Sequence, residues 1–375
     1  MFDYSDSLSE LNTDSPLSEK LKRIHDTLVA RFDSIDRIAV ALYDPKTDLL
    51  KTFIHSSGGA QPLSQYQAPL SEAKSLMDIV KIGKPRVVND LAIFASGEHE
   101  HTKKIGAQGY GSSYTLPMYL SGHFFGFVFF NSYQKNALNE EILHFLDVIG
   151  HLVSLVVMNE ISAVRTLVST VQAARDVAHL RDNETGAHLD RMSHFSRVIA
   201  RELAFTHGFD DEFVEHVFLF SPLHDIGKIG IPDSIMLKEG NLTDNEFEIM
   251  KTHTQKGRQI IDTMLKDFAL EGFQHLDMLR NIAEFHHETL DGKGYPKGLK
   301  GDEIPIEAKI IAVADVFDAL TSRRPYKDAW SNDDAFQRLL FLADTKLDRK
   351  CVEALLKNRA EVEVIQQQFR EELFA

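Results

Sequence analysis

The residues best placed to do chemistry run from His224 to Lys228, reading His-Asp-Ile-Gly-Lys. The histidine offers a neutral nitrogen ligand, and the aspartate beside it has two oxygens that can be divided between two cations. Lys228 could hold a positive charge over an anionic substrate. Four further stretches carry groups of the same kind: Glu184-x-x-x-His188, His253 within Lys251-Thr-His-Thr254, the pair His286-His287, and Asp315 at the end of the apolar run from Ile310. Each has an ordinary reading on its own. A Glu and a His four apart on a helix fit a solvated surface pair, and His253 fits a helix end. Adjacent histidines in an apolar helix carry a desolvation cost unless both find partners. An aspartate buried among alanines and valines needs a cation or a donor.

Taken together the set is His188, His224, Asp225, His253, His286, His287 and Asp315, with Glu184 nearby. This exceeds the needs of one tetrahedral ion and implies two or three divalent metal ions. With imidazole and carboxylate mixed and no thiolate among them, iron or manganese fits better than a Cys-rich zinc site. Such a set suits metal-assisted chemistry on an anionic substrate, of which phosphate-ester hydrolysis is one case. Two cations about 3.5–4 Å apart can share a hydroxide and bind the non-bridging phosphate oxygens. Asp225 is the expected bridge, and Lys228 would offset charge as the transition state forms.

The elements that must position these groups fall into two parts. At 375 residues the chain is too long for one ordinary core. Apolar content of 43% and charged content of 26% are those of a soluble globular protein. A net charge of −15 disfavours a nucleic-acid polymer as partner. The single cysteine, Cys351, rules out an internal disulfide and suits a cytoplasmic location. Residues 1–17 are acidic and Ser-rich, unlike a signal peptide, and are expected to be disordered. The apolar run Ile142 to Met158 is interrupted by His144, Asp147 and His151, so it is expected to be a buried helix and not a membrane span.

A first domain is expected over 18–155: a helix, strands at Arg37–Tyr43 and near Leu49–His55, a helix at Ser71–Lys81, an extended piece at Arg86–Asp90, and a hairpin turning at Ser121-Gly122. A connecting helix over 145–178 steps through Ile149, Leu152, Val156, Ile161, Val164, Val168 and Val171. That pattern fits either the seam of a parallel homodimer or one helix packed on its own domain. Residues 170–375 read as helical throughout.

The order of elements in the first half, with Lys84-Pro-Arg-Val-Val-Asn-Asp90 and the run from Leu116 to Phe130, resembles a GAF domain. That implies a small-ligand sensor, the alternative being a dimerising spacer. In the second half, His224-Asp-Ile-Gly-Lys228, His286-His-Glu-Thr-Leu-Asp-Gly-Lys-Gly-Tyr-Pro296 and Asp315-Val-Phe-Asp-Ala-Leu320 resemble the HD-GYP family of phosphohydrolases. The match is dense from about Asp176 to Tyr326. The fold expected is therefore α+β in two domains: a GAF-like module, a long connecting helix and an all-α HD-type bundle.

The resemblance implies a cyclic dinucleotide substrate, chiefly cyclic di-GMP, cleaved to linear pGpG or onward to GMP. Cyclic GMP-AMP, another phosphate ester, or a catalytically weak receptor are the alternatives. It also implies that Glu184 admits a third metal, that Lys228 contacts the scissile phosphate, and that Arg324 and Lys327 grip phosphates. The loop Asp291-Gly-Lys-Gly-Tyr-Pro296 would bring substrate against the main chain at Gly294, with Tyr295 stacking on a base or bonding to phosphate; a tight turn with Tyr295 packed inward is the other reading. Leu290 stands where many members carry an aromatic residue.

Overall fold

The computed structural model describes residues 6–58, 63–94, 108–177, 186–268, 270, 275–323 and 328–370. The chain divides into two compact units, Met1–Ala163 and Val164–Ala375.

The first unit is built on an antiparallel sheet in the order β3-β2-β1-β6-β5-β4. Its strands are β1 (Arg37–Asp44), β2 (Leu49–Ser57), β3 (Gln67–Pro69), β4 (Arg86–Val88), β5 (Ser112–Leu120) and β6 (His123–Ser132). Ser121 and Gly122 both take positive φ, 50° and 83°, the geometry that matches a two-residue hairpin to the twist of its strands. Helix α1 (Leu17–Val29) buries Leu17, Leu21, Ile24 and Leu28 at three- and four-residue steps. Helix α2 (Lys74–Ile82) packs with Leu76 and Ile79 against Ala41, Leu50 and Phe127. It stops at Gly83, whose φ of 69° is left-handed.

The structure adds two elements to those expected. Strand β3 escapes a sequence reading because three residues show no period; it exists by pairing with Leu49–Lys51. The N-terminal stretch expected to be disordered contains a 3-10 turn at Ser9–Asn12. Arg23 on α1 explains it, donating to the Ser7 carbonyl at 3.0 Å and lying 3.6 Å from Glu10.

Helix α3 (Glu140–Val177) is continuous. Its buried stripe runs through Leu146, Ile149, Val153, Val157, Ile161, Val164 and Val168. Early in the helix this stripe faces its own sheet: a Cβ at Gly150 would meet Leu116 at 2.6 Å, and the Tyr114 hydroxyl donates to Asp147. Leu152 and Val156 are only half-buried, and Val148 and Leu155 are exposed. The helix is thus buried on one face rather than throughout. By length and composition Glu140–Thr170 is apolar enough to cross a membrane, with mean hydropathy 1.7 and 39% of its most apolar window buried.

The second unit is helical: α4 (Gly186–His207), α5 (Asp211–Phe220), α6 (Asp244–Lys251), α7 (His253–Asp267), α8 (Leu276–Phe285), α9 (Ile306–Thr321), α10 (Asn332–Leu342), α11 (Arg349–Lys357) and α12 (Arg359–Gln368). Asp210 caps α5 by accepting from the Phe213 amide, and Thr243 with Glu246 forms a reciprocal capping box on α6. Helix α4 is central, burying Met192, Phe195, Ile199 and Leu203. Phe195 meets Phe317 of α9 edge-on at 5.3 Å, and Phe317 stacks on Phe336 of α10 at 4.9 Å. Truncating such a ring to alanine costs about 3–5 kcal/mol, so this aromatic column fixes α4 against α9.

Candidate metal centre

Helix α5 ends at Phe220, before the His-Asp pair, which was expected within a helix. The chain continues as two 3-10 turns, Ser221–Leu223 and Ile226–Gly230, and Asp225 sits between them at φ −102° and ψ 13°. Pro222 and Gly227 account for the break. A Cβ on Gly227 would meet the His253 carbonyl at 1.8 Å and the Gly257 nitrogen at 2.4 Å. The glycine therefore lets α7 lie directly on the turn and delivers His253 to Asp225.

Two groups of side chains converge. The ligand atoms of Asp225, His253, His286 and His287 lie within 4.8 Å of one another, as do those of His188, His224 and Asp315. Asp225 faces both. Its Oδ1 is 3.2 Å from His253 Nε2 and 3.6 Å from His286 Nε2, and its Oδ2 is 3.2 Å from His224 Nε2. Burial pushes this carboxyl up, but Lys228 and His224 outweigh it and hold Asp225 well below the usual carboxylate range. Burial lowers His286, and burial with the neighbouring His286 lowers His287 further. Asp315 is half-exposed, not buried as its apolar helix suggested.

The imidazoles are oriented by their outer nitrogens. The Nδ1–H of His224 donates to the Ser221 carbonyl at 2.8 Å, that of His253 to Met250 at 2.8 Å, and that of His286 to Ile282 at 2.9 Å. His188 donates from Nδ1 to Asp318 at 2.7 Å. Each bond fixes the tautomer in which Nε2 carries a lone pair. The buried Nε2 atoms of His253 and His286 have no hydrogen-bond partner among the described residues. Lone pairs left in this way, beside a shared carboxylate, fit divalent cations.

Several contributors were not singled out from sequence. Asp318 is buried and also accepts from Arg191 at 2.5 and 3.1 Å and from Ser322 at 3.0 Å. Burial alone would raise it; His188 and Arg191 hold it below its ordinary value. Its signal was the i,i+3 spacing from Asp315 on one helix. Glu288, following the His pair, is buried and accepts from the backbone amides of Lys297, Gly298 and Leu299 at 2.7–3.0 Å. It anchors the loop that follows.

The remaining expected site residues behave differently. Lys228 places Nζ 2.8 Å from Asp225 Oδ2, so its charge is already engaged. A Cβ at Gly294 would meet the Thr289 nitrogen at 2.4 Å and the His287 carbonyl at 2.6 Å. That glycine lets the loop fold onto its own backbone. Tyr295 lies 4.8 Å from the His287 ring, and its amide donates to the His287 carbonyl. Leu290 packs on Phe285, Ile304 and Ala308, so no aromatic is needed beneath the loop. Glu184, Arg324 and Lys327 lie outside the described residues.

The first unit holds a cavity of about 110 Å³ lined by Arg37, Ala39, Thr52, Arg86, Thr115 and Phe129 among others. Its floor is the sheet face opposite α3.

Comparison with known proteins agrees with both halves. Residues 172–351 match the HD domain family and residues 14–158 the GAF domain family. The cyclic di-GMP phosphodiesterase response regulator RpfG of Xanthomonas campestris is 43% identical over 212 residues, covering 56% of this chain and 53% of that protein. A cyclic di-GMP phosphodiesterase of Thermotoga maritima is 44% identical over 186 residues, covering 50% and 48%. The 3'3'-cGAMP-specific phosphodiesterase 2 of Vibrio cholerae is 38% identical over 178 residues, covering 48% and 32%. The chain spans about half the length of the first of these curated relatives, and less of the third. The chain thus carries a GAF domain in its first half and, in its second, an HD domain with the motifs of the HD-GYP family.

Proposed function

We propose that the chain is a metal-dependent phosphodiesterase that opens cyclic di-GMP to pGpG, or onward to GMP. The observation that carries this reading is Asp225, whose two oxygens face two separate sets of imidazoles oriented by their outer nitrogens. In it, His253, His286, His287 and Asp225 hold one divalent cation, and His188, His224, Asp315 and Asp225 hold another, iron or manganese by donor type. When bound, such a pair supplies positive charge that lowers the pKa of water and neutralises phosphate oxygens.

The side chains do the rest. Asp225 keeps both oxygens ionised because its carboxyl is held below the usual range. Lys228, one fifth exposed, stands at the mouth of the site and transfers its charge from Asp225 to the phosphate when substrate enters. Burial keeps the Tyr295 hydroxyl protonated, able to donate to a phosphate oxygen. Arg324 and Lys327 serve as further phosphate contacts, and Glu184 as the ligand of a third ion. A small ligand in the sheet cavity regulates turnover, and the exposed Val148 and Leu155, seven apart on α3, give a strip on which a second copy pairs. The location that suits this substrate is the cytoplasm.

The test is product chromatography on the purified chain loaded with Fe²⁺ or Mn²⁺ and given cyclic di-GMP. Asp225→Ala is expected to lose at least about 10³-fold in turnover, since one ligand serves both sets. Full turnover by that variant sinks the proposal, and tight binding without product at any metal loading replaces it with a receptor. A second reading, 3'3'-cGAMP as substrate, is favoured by the relatives named for it; a preference measured on the two dinucleotides decides.

A further inference from the structure

A third group of metal-ligating side chains lies outside the centre just described. Glu212 and His216 are one turn apart on α5, and His275 stands at the start of α8; one ligand atom from each lies within 4.8 Å of the others. His216 is fully buried, and its Nδ1–H donates to the Glu212 carbonyl at 2.8 Å. Its Nε2 therefore carries a lone pair, and that atom has no hydrogen-bond partner among the described residues. Glu212 is 3% exposed, and its Oε1 also has none. Oε1 lies 3.7 Å from His275 Nε2, beyond hydrogen-bond reach. The two imidazole rings stand 4.4 Å apart.

A buried lone pair and a buried carboxylate oxygen aimed at the same point, each unsatisfied, cost free energy unless a cation lies between them. Burial first, then the neighbouring His275, pushes His216 down to about 4, so its ring is neutral at physiological pH and free to ligate. Here too a backbone carbonyl selects the inner nitrogen, as at His224, His253 and His286.

We propose that Glu212, His216 and His275 hold one divalent transition-metal ion as a structural staple between α5 and α8. Two imidazoles and one carboxylate suit zinc or cobalt in tetrahedral geometry, with water as the fourth ligand. The position gives the staple its purpose. Helix α5 leads into His224-Asp225 and α8 into His286-His287. A cation here ties together the far ends of the two helices that deliver ligands to the catalytic centre, roughly 15 Å away along α8 at 1.5 Å per residue.

The experiment counts metal in the full chain, stripped by chelator and reloaded with Co²⁺, whose visible absorption reports tetrahedral ligation. In an Asp225→Ala, His253→Ala background, about one tightly held equivalent is expected to persist. Adding His216→Gln or Glu212→Gln should abolish it and its absorption. If the background retains no cobalt, or if neither substitution changes what it retains, the staple does not exist. His275→Ala in the otherwise unchanged chain guards against misfolding, because that side chain is about a quarter exposed. With circular dichroism intact, it should lower the bound metal by about one equivalent; an unchanged count overturns the proposal.

Discussion

The two units treat a buried histidine in opposite ways. In the GAF unit, His25 bonds through both nitrogens, Nδ1 to the Ser56 hydroxyl at 2.8 Å and Nε2 to the Ile35 carbonyl at 3.0 Å. In the HD unit, His253 and His286 bond through Nδ1 alone and turn Nε2 toward a carboxylate oxygen at 3.2 and 3.6 Å. Equal burial thus accompanies different chemistry. What separates a structural imidazole from a ligating one is whether its second nitrogen is already spent.

Five substitutions press on that contrast. The largest effect is expected from Gly227→Ala, whose methyl would meet the His253 carbonyl at 1.8 Å. It should cost about 3 kcal/mol or more of stability and most of the bound metal; urea unfolding with metal analysis checks both, and a well-folded, fully loaded variant would show that the close approach is not required. Next comes Asp318→Asn. Replacing the charged carboxylate that accepts from His188 and Arg191 by a neutral amide with one acceptor oxygen should weaken metal binding by about 10–100-fold.

That substitution also has a pH signature. Asp318 is held below its ordinary 3.8, so its contribution to stability is full above that value and is lost as pH falls below it toward the depressed folded value. The stability gap between the parent and Asp318→Asn should therefore close on acidification below about pH 4, read by unfolding at stepped pH. Glu288→Gln should loosen the loop for about 1–2 kcal/mol, raising KM more than it lowers kcat.

The smallest effect on the metal centre is expected from His25→Gln: about 1 kcal/mol of stability, with metal content unchanged. Burial lowers His25 from 6.5, so in the parent the stability it supplies is complete above that pH and is lost as pH falls below it. His253→Gln, by contrast, should release metal. Equal metal loss in the two glutamine variants would erase the distinction between the units.

How much of this could be read from sequence follows the same division between local and distant causes. The hairpin at Ser121-Gly122 was legible because its cause lies in adjacent residues. His224-Asp225 and His286-His287 were legible because two ligands stand side by side. Asp318, Glu288 and Gly227 were harder, since what they touch lies on another element or a later loop. Glu212 and His216 share the four-residue spacing of Glu184 and His188, yet His275 comes from a distant helix and only folding brings it near. At Gly294 the sequence signals a close approach without saying to what. The period along α3 left two readings open for a related reason: a helical period gives a stripe, and only packing says that Leu146, Ile149 and Val153 are buried while Leu152 stays half-bare.

The acceptors behind the imidazoles have a lasting consequence. Ser221, Met250 and Ile282 serve through their carbonyls, which are present whatever side chain occupies those positions. A lineage can rewrite those three residues and still inherit rings pointing the right way. His188 has no such insurance, because its orientation hangs on one replaceable carboxylate, and mutational drift would unmake the centre from that corner first.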